Sequence, residues 1–269
     1  MKFAICNEVF QGWDWEATCR FVAGAGYDGI ELAPFTLTED VRSLGDTERQ
    51  EIRATAERAG VEIMGLHWLL VSPPGLSLTS SDPSLRQTTA EYLTALVDFC
   101  GDLGGRVMTL GSPKQRRLAD GGSLETTTDR FLAGVRPALD RAQERGIMIC
   151  LEPLPPPEAD FLLTLEQALA LIKTLGHPAA KTNFDVKSAS WENKPLPDLL
   201  AQYAPYIVHF HANDTNRRGP GFGDIDYRPI LNKLQEIEYA GYLSVEPFDY
   251  SPDPETVAIK SLEYLRQCL

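Results

Sequence analysis

The run Arg145-Gly146-Ile147-Met148-Ile149-Cys150-Leu151-Glu152 decides the fold. A glycine behind an amphipathic helix suits the left-handed position at which helices end. The apolar run after it suits a parallel strand buried on both faces. An acid closes the unit. The same order recurs along the chain: Gly26-Tyr27 leads into 28–32, Gly60 into 61–67, Gly104-Gly105 into 106–110 and Gly241 into 242–246. Residues 181–185 and 206–211 follow helical patterns of their own, and 3–6 opens the series, which makes eight strands.

Helical patterns fill the gaps near 15–23, 47–59, 85–103, 125–145, 165–175, 197–204, 227–238 and 254–266. Thr164 and Gln167 stand at capping-box spacing before one of them, and Asp253 with Pro254 opens the last. Strand and helix alternate throughout, and no Pro/Gly/Ser-rich linker divides the chain. An α/β fold is expected: a (β/α)8 barrel rather than an open doubly wound sheet, with residues 1–269 as a single domain.

Composition narrows the function. There are 25 Lys+Arg against 38 Asp+Glu, a formal net charge of −13. Nucleic-acid backbones call for clustered cations, so no nucleic-acid partner is expected. Cys6, Cys19, Cys100, Cys150 and Cys268 have no C-x-x-C spacing, which argues against a disulfide framework and a thiolate zinc site. They read as small buried hydrophobes of a reducing compartment. No apolar run long enough for a signal peptide precedes Asn7-Glu8, and none approaches the ~18 residues of a membrane span. The expectation is a soluble, cytoplasmic protein with no membrane partner.

In such a barrel the chemistry sits at the C-terminal ends of the strands. Those ends carry Asn7 and Glu8, Glu31, His67, Ser112 and Lys114, Glu152, Asp185, His211 and Glu246. Acids and imidazoles converging on one mouth repel or titrate unless a cation holds them. The narrowest set is Glu152, Asp185, His211 and Glu246, from strands five to eight. Three carboxylates and one imidazole suit Mn²⁺, Mg²⁺, Co²⁺ or Fe²⁺ rather than a soft thiolate metal. Singly, each reads as well as a strand-end ion pair or a satisfied core histidine. Four in register on consecutive strands favour the metal.

Several stretches bear a family likeness: Asp28-Gly29-Ile30-Glu31, Glu152-Pro153-Leu154 with Glu158 and Phe161, Phe184-Asp185, and His209-Phe210-His211 with Asp214. Asn216-Arg217, the Pro220-Gly221-Phe222-Gly223-Asp224-Ile225-Asp226 loop and Ser244-Val245-Glu246-Pro247 continue it. The chain resembles the xylose isomerase-like TIM barrels, and among them the ketose 3-epimerase (D-tagatose/D-psicose 3-epimerase) group. The resemblance implies metal ligation by Glu152, Asp185, His211 and Glu246, with Mn²⁺ first among the candidates. It implies that Glu152 and Glu246 double as an acid/base pair, transferring a proton beside a ketose carbonyl through an enediolate held by the metal. Such chemistry needs a group on each face of the carbon. Arg217 would stabilise the oxyanion and Glu158 would contact a hydroxyl. The substrate implied is a small ketose or related polyol ketone, and relatives are often dimers or tetramers, so a homo-oligomer is the implied assembly.

One position departs from that pattern. The group carries a histidine three residues after the aspartate, where this chain has Ser188, preceded by Lys187. Either could take over the substrate contact, though neither copies imidazole. His67 reads as a substrate contact or as packing beside Trp68. His209 shares a strand face with His211 and reads as support for it, and His177 before Pro178 as structural. The 219–223 glycine loop reads as a phosphate cradle or a lid. The basic run 112–117 reads as reaching the mouth or as a subunit contact. Trp13, Trp15, Phe35, Trp68 and Phe248 read as an apolar wall against a sugar or as core lids.

The departure after Asp185 keeps a keto-inositol dehydratase-like lyase open as an alternative, beside a hydroxypyruvate isomerase on the same metal site. A barrel apurinic endonuclease would need a histidine-rich three-metal site, against which 4 histidines in the whole chain argue. A non-catalytic sugar binder would leave the paired glutamates without a purpose.

Overall fold

The computed structural model describes residues 1–118 and 122–269. Its strands are β1 Lys2–Cys6, β2 Gly29–Leu32, β3 Glu62–Leu66, β4 Val107–Leu110, β5 Met148–Leu151, β6 Ala180–Asp185, β7 Ile207–Ala212 and β8 Tyr242–Val245. All pair in parallel with their sequence neighbours. β8 returns to β1 through the pairs Lys2↔Tyr242 to Ile5↔Val245, which closes the barrel. The helices are α1 Trp15–Ala25, α2 Asp46–Ala59, α3 Pro83–Asp102, α4 Leu124–Arg145, α5 Leu165–Leu175, α6 Val186–Ala189, α7 Leu196–Tyr203, α8 Tyr227–Glu236 and α9 Pro254–Gln267. The (β/α)8 expectation holds.

Local chemistry explains the punctuation. Gly26, Gly60 and Gly146 end α1, α2 and α4 at φ of 96°, 87° and 67°, where a Cβ is disfavoured. Thr164 caps α5 by accepting from the Gln167 N–H, while the Gln167 side chain turns to the Leu163 N–H instead of closing the reciprocal bond. Asp253 caps α9 with Pro254 in its first turn. Between barrel and helices lies one apolar core, with Ile5, Ile30, Leu66, Phe184 and Phe210 fully covered. Among the described residues, no helix is long and apolar enough to cross a membrane.

Two departures bear on the site. β3, β5 and β8 stop one residue short of the sequence reading, so His67, Glu152 and Glu246 stand just beyond them, at the mouth. The sequence also gave no sign of α6. Asp185 starts this single turn by accepting from the Ser188 N–H at 2.6 Å, so the last residue of β6 caps its own exit.

Candidate functional site

Register brings the four expected ligands together. Asp185 pairs with His211 across β6–β7, and His211 with Ser244 across β7–β8. His211 Nδ1 lies 3.0 Å from Glu152 Oε1, 3.0 Å from Glu246 Oε2 and 3.8 Å from Asp185 Oδ2. One donor atom from each of the four residues lies within 4.8 Å of all the others. The carboxylates are aimed by amides: Asn183 Nδ2 donates to Glu152 Oε1 at 2.6 Å, and Asn213 Nδ2 to Asp185 Oδ2 at 2.7 Å. Gly111, at the end of β4, leaves room for Glu152, because a side chain there would strike its Oε2.

The electrostatics of this cluster turn on three carboxylates around one imidazole. Burial opposes a charged imidazole at His211, but the Glu246 and Glu31 carboxylates outweigh it and raise its proton affinity well above the usual histidine range. Burial pushes the Glu246 carboxyl up, while His211 beside it wins and holds it low. The other ring nitrogen, His211 Nε2, faces Glu31 Oε1 at 3.2 Å. A histidine that gives one nitrogen to a carboxylate and turns the other toward three acids has the arrangement a divalent ion uses. The donor set fits a hard-to-borderline cation.

Beneath the four lies a second layer. Glu31 is fully buried, 2.9 Å from His209 Nε2, and accepts from Thr109 Oγ1 at 3.2 Å. Burial alone would raise its carboxyl; His209 and His211 outweigh it and hold it well below the ordinary range. His209 therefore serves Glu31 from deeper in the barrel, in line with its sequence reading. His67 lies between two acids, Nε2 2.9 Å from Glu8 Oε2 and Nδ1 3.3 Å from Glu246 Oε1. Burial disfavours its charged form, but Glu8 and Glu246 prevail and push it up to about 10. Asn183 and Asn213 escaped the sequence reading. The signal was there: each lies two residues from an expected ligand, Asn183 on the same face of β6 as Asp185, and Asn213 one residue past the end of β7, which holds His211.

Above the four opens a cavity of about 220 Å³, bounded by His67, Trp68, Glu158, Phe248 and the 112–115 loop. Lys187 Nζ pairs with Glu158 Oε1 at 2.6 Å and lies 5.1 Å from the Phe248 ring centre. Ser188 spends its N–H on Asp185, and its buried hydroxyl has no partner among the described residues. Arg217 is exposed, its guanidinium 5.4 Å from the Phe248 ring centre. Phe35, Trp68 and Phe248 stack edge to face at the mouth. Trp13 packs on Phe10 and on Phe21 of α1, and Trp15 donates to the Ile52 carbonyl of α2, so both rings pack against protein away from this cavity's lining.

Lys114 and Gln115 reach the cavity, while Arg116 is buried and donates to the carbonyls of Gly111, Glu152, Phe161 and Leu162. Burial lowers its affinity for the proton to a pKa of about 10. Arg116 thus ties the β4 and β5 loops together. Gly219 and Gly221 pack against Ser261 and Tyr264 of α9, and Gly223 against Asp214, so a side chain at any of the three would strike protein. His177 braces a turn, accepting from the Ala179 N–H and lying 3.3 Å from Asp140.

A model of the xylose isomerase-like TIM barrel matches residues 19–268. The chain belongs to that family. Among curated proteins, the chain is similar to the D-psicose 3-epimerase of Agrobacterium fabrum, 26% identical over 250 residues, 88% of this chain and 82% of that one. Two solved structures share the fold over 100% of this chain at a TM-score of 0.86: D-psicose 3-epimerase from Clostridium cellulolyticum H10 (21% identity, 99% of that chain) and the 3-keto-D-glucoside 4-epimerase from E. coli (20% identity, 100% of that chain).

Proposed function

We propose that the protein is a divalent-metal-dependent sugar epimerase or isomerase that moves a proton beside the carbonyl of a ketose or related polyol ketone. The observation that carries this is the convergence of Glu152, Asp185, His211 and Glu246 on one point at the floor of a small cavity. These four would hold the ion, Mn²⁺ first, with Mg²⁺, Co²⁺ and Fe²⁺ behind it. The bound ion would polarise the substrate carbonyl. Glu152 and Glu246 come from β5 and β8, and both border the cavity. One removes the proton from one face of the carbon, and the other returns a proton to the opposite face. Glu158, with Lys187 against it, would hold a hydroxyl, and His67 borders the same space. Ser188 has a spare buried hydroxyl group to offer, and Arg217 would act by bracing Phe248. The names of the curated relatives support the substrate class. The five free, buried cysteines support a reducing compartment, the cytoplasm.

The replacement of histidine by Ser188, and the Lys187–Glu158 pair next to it, favour one second reading. A keto-inositol dehydratase-like lyase would make the same first proton transfer and then expel a β-hydroxyl, for which Lys187 is a nearby acid. Hydroxypyruvate isomerase chemistry would use the same floor with a smaller substrate.

The test is proton exchange with solvent. Protein loaded with Mn²⁺, and separately with Mg²⁺ for NMR, is incubated in D2O with D-psicose, D-fructose, D-tagatose, a keto-inositol and hydroxypyruvate. Deuterium beside the carbonyl with a new diastereomer is the expected result. Exchange with loss of water shifts the reading to the lyase. A bound metal with no exchange on any of them, phosphorylated ketoses included, overturns catalysis of this class.

A further inference from the structure

The two acids proposed for proton transfer are oriented by different groups. Glu152 Oε1 takes an amide proton from Asn183 on the adjoining strand. Glu246 Oε1 meets an imidazole that crosses the mouth: His67 follows β3, and Glu246 follows β8. The imidazole is itself held. Its Nε2 lies 2.9 Å from Glu8 Oε2, and Glu8 follows β1, between the two. Glu8, His67 and Glu246 are all at least nine-tenths buried. Glu8 Oε1 has no partner among the described residues, so His67 is the contact that fixes this carboxylate. Cys6 Sγ touches the group only at 3.8 Å from His67 Nδ1.

We propose that Glu8 and His67 form a positioning dyad for Glu246, in which Glu8 fixes the imidazole and the imidazole pins Oε1 so that Oε2 faces the metal centre. The role of Glu246 in this proposal rests on the epimerase reading. The physical need is plain. The terminal torsion of a glutamate is broad and roughly two-fold, so an unpinned carboxylate samples many orientations. Metal ligation and proton transfer tolerate only about 0.5 Å of misplacement. With carboxylate oxygens on both ring nitrogens, a flip of the imidazole would present carbon edges to both acids. Glu152 has its own pin, so losing the dyad disturbs one face of the substrate carbon and not the other.

His67→Gln, Glu8→Gln and the double variant test this in the full-length protein, with Cys6→Ser as a control. The first readout is the Kd for Mn²⁺ by calorimetry, which needs no substrate. Partners of this kind set metal affinity by about 10–100-fold. The expected result is a loss of that order in both single variants, no further loss in the double, and none in Cys6→Ser. An unchanged Kd in both, or losses that multiply in the double, overturns the dyad. Glu8→Gln keeps the side chain's shape and carries the test should His67→Gln fail to fold.

The second readout is the isotope effect on kcat/KM with D-psicose and D-fructose, each deuterated at C3. In His67→Gln the effect should rise for the epimer that Glu246 deprotonates and fall for the other. General loosening of the site would move both alike, and that result also overturns the proposal. Should the wild type turn over neither sugar, the epimerase reading loses support while the Mn²⁺ measurement still decides the dyad.

Discussion

The two halves of the barrel mouth hold similar residues and treat them differently. On the β1–β4 side, Glu8 and Glu31 each face an imidazole, and Thr109 adds a hydroxyl to Glu31. On the β5–β8 side, three carboxylates crowd one nitrogen of one histidine. The first half is balanced by imidazoles, His67 against Glu8 and His209, reaching over from β7, against Glu31. The second is balanced only by a charge on His211 or by a cation in its place. The difference separates a framework from a candidate working face: the balanced half contacts His211 and Glu246 through Glu31 and His67, and the crowded half is where an ion would bind.

The sharpest way to break that division is to neutralise an acid on the working face. Asp185→Asn should weaken Mn²⁺ binding by at least about 100-fold, measured by calorimetry, because it removes a charged ligand. Glu246→Gln should lower kcat by about 10²–10⁴-fold, the range general acid/base groups supply. If Glu8→Gln costs more in either measurement than these do, the halves have been assigned the wrong way round. A smaller effect is expected from removing the ion. At a concentration near 100 Kd, Mn²⁺ should stabilise the wild type by about 2.7 kcal/mol. For a chain of this size each kcal/mol shifts Tm by roughly 2–4 °C, so chelation should lower it by several degrees. Asp185→Asn should show almost no response to chelation.

Glu31→Gln probes the join between the halves. It keeps the shape but removes the charge that faces both His209 and His211. Metal affinity should drop about 10–100-fold with the barrel intact by circular dichroism. A loss as complete as that of Asp185→Asn would mean that Glu31 belongs to the working face.

The same division explains what could be read from the sequence. The barrel was legible because each unit repeats one physical pattern, a helix, a left-handed glycine and a doubly buried strand. The four candidate ligands stood out because acids and a histidine at four successive strand ends must be balanced by a positive charge, on the histidine or on a cation. The framework was harder. Glu8, Glu31 and His67 are also polar strand ends, but their partners come from strands distant in sequence, and only the closure of the barrel sets His67 between Glu8 and Glu246. Asn183 and Asn213 carry no charge to raise an alarm, and their meaning depends on which carboxylate each meets across the strands, Glu152 and Asp185. Trp13 and Trp15 misled in the opposite direction: an aromatic just past a strand end is apolar whether it faces a sugar or a neighbouring helix.

Thr109→Val should have the smallest effect and sets how far the framework reaches. The substitution is near isosteric and deletes one donor to Glu31 Oε1, at 3.2 Å, while His209 and His211 remain against the same carboxylate. A buried carboxylate losing one of four donors, Cys6 Sγ at 3.7 Å included, should cost about 1–2 kcal/mol of stability, read by urea unfolding. Mn²⁺ affinity should change by less than about threefold, since 0.6 kcal/mol of misplacement energy at the metal is about that factor. The two numbers together carry the argument. Stability lost without affinity lost means that the imidazoles alone aim Glu31, and the framework ends at His209. Affinity falling as steeply as stability would extend the working face down to β4, and the contrast between the two halves would no longer hold.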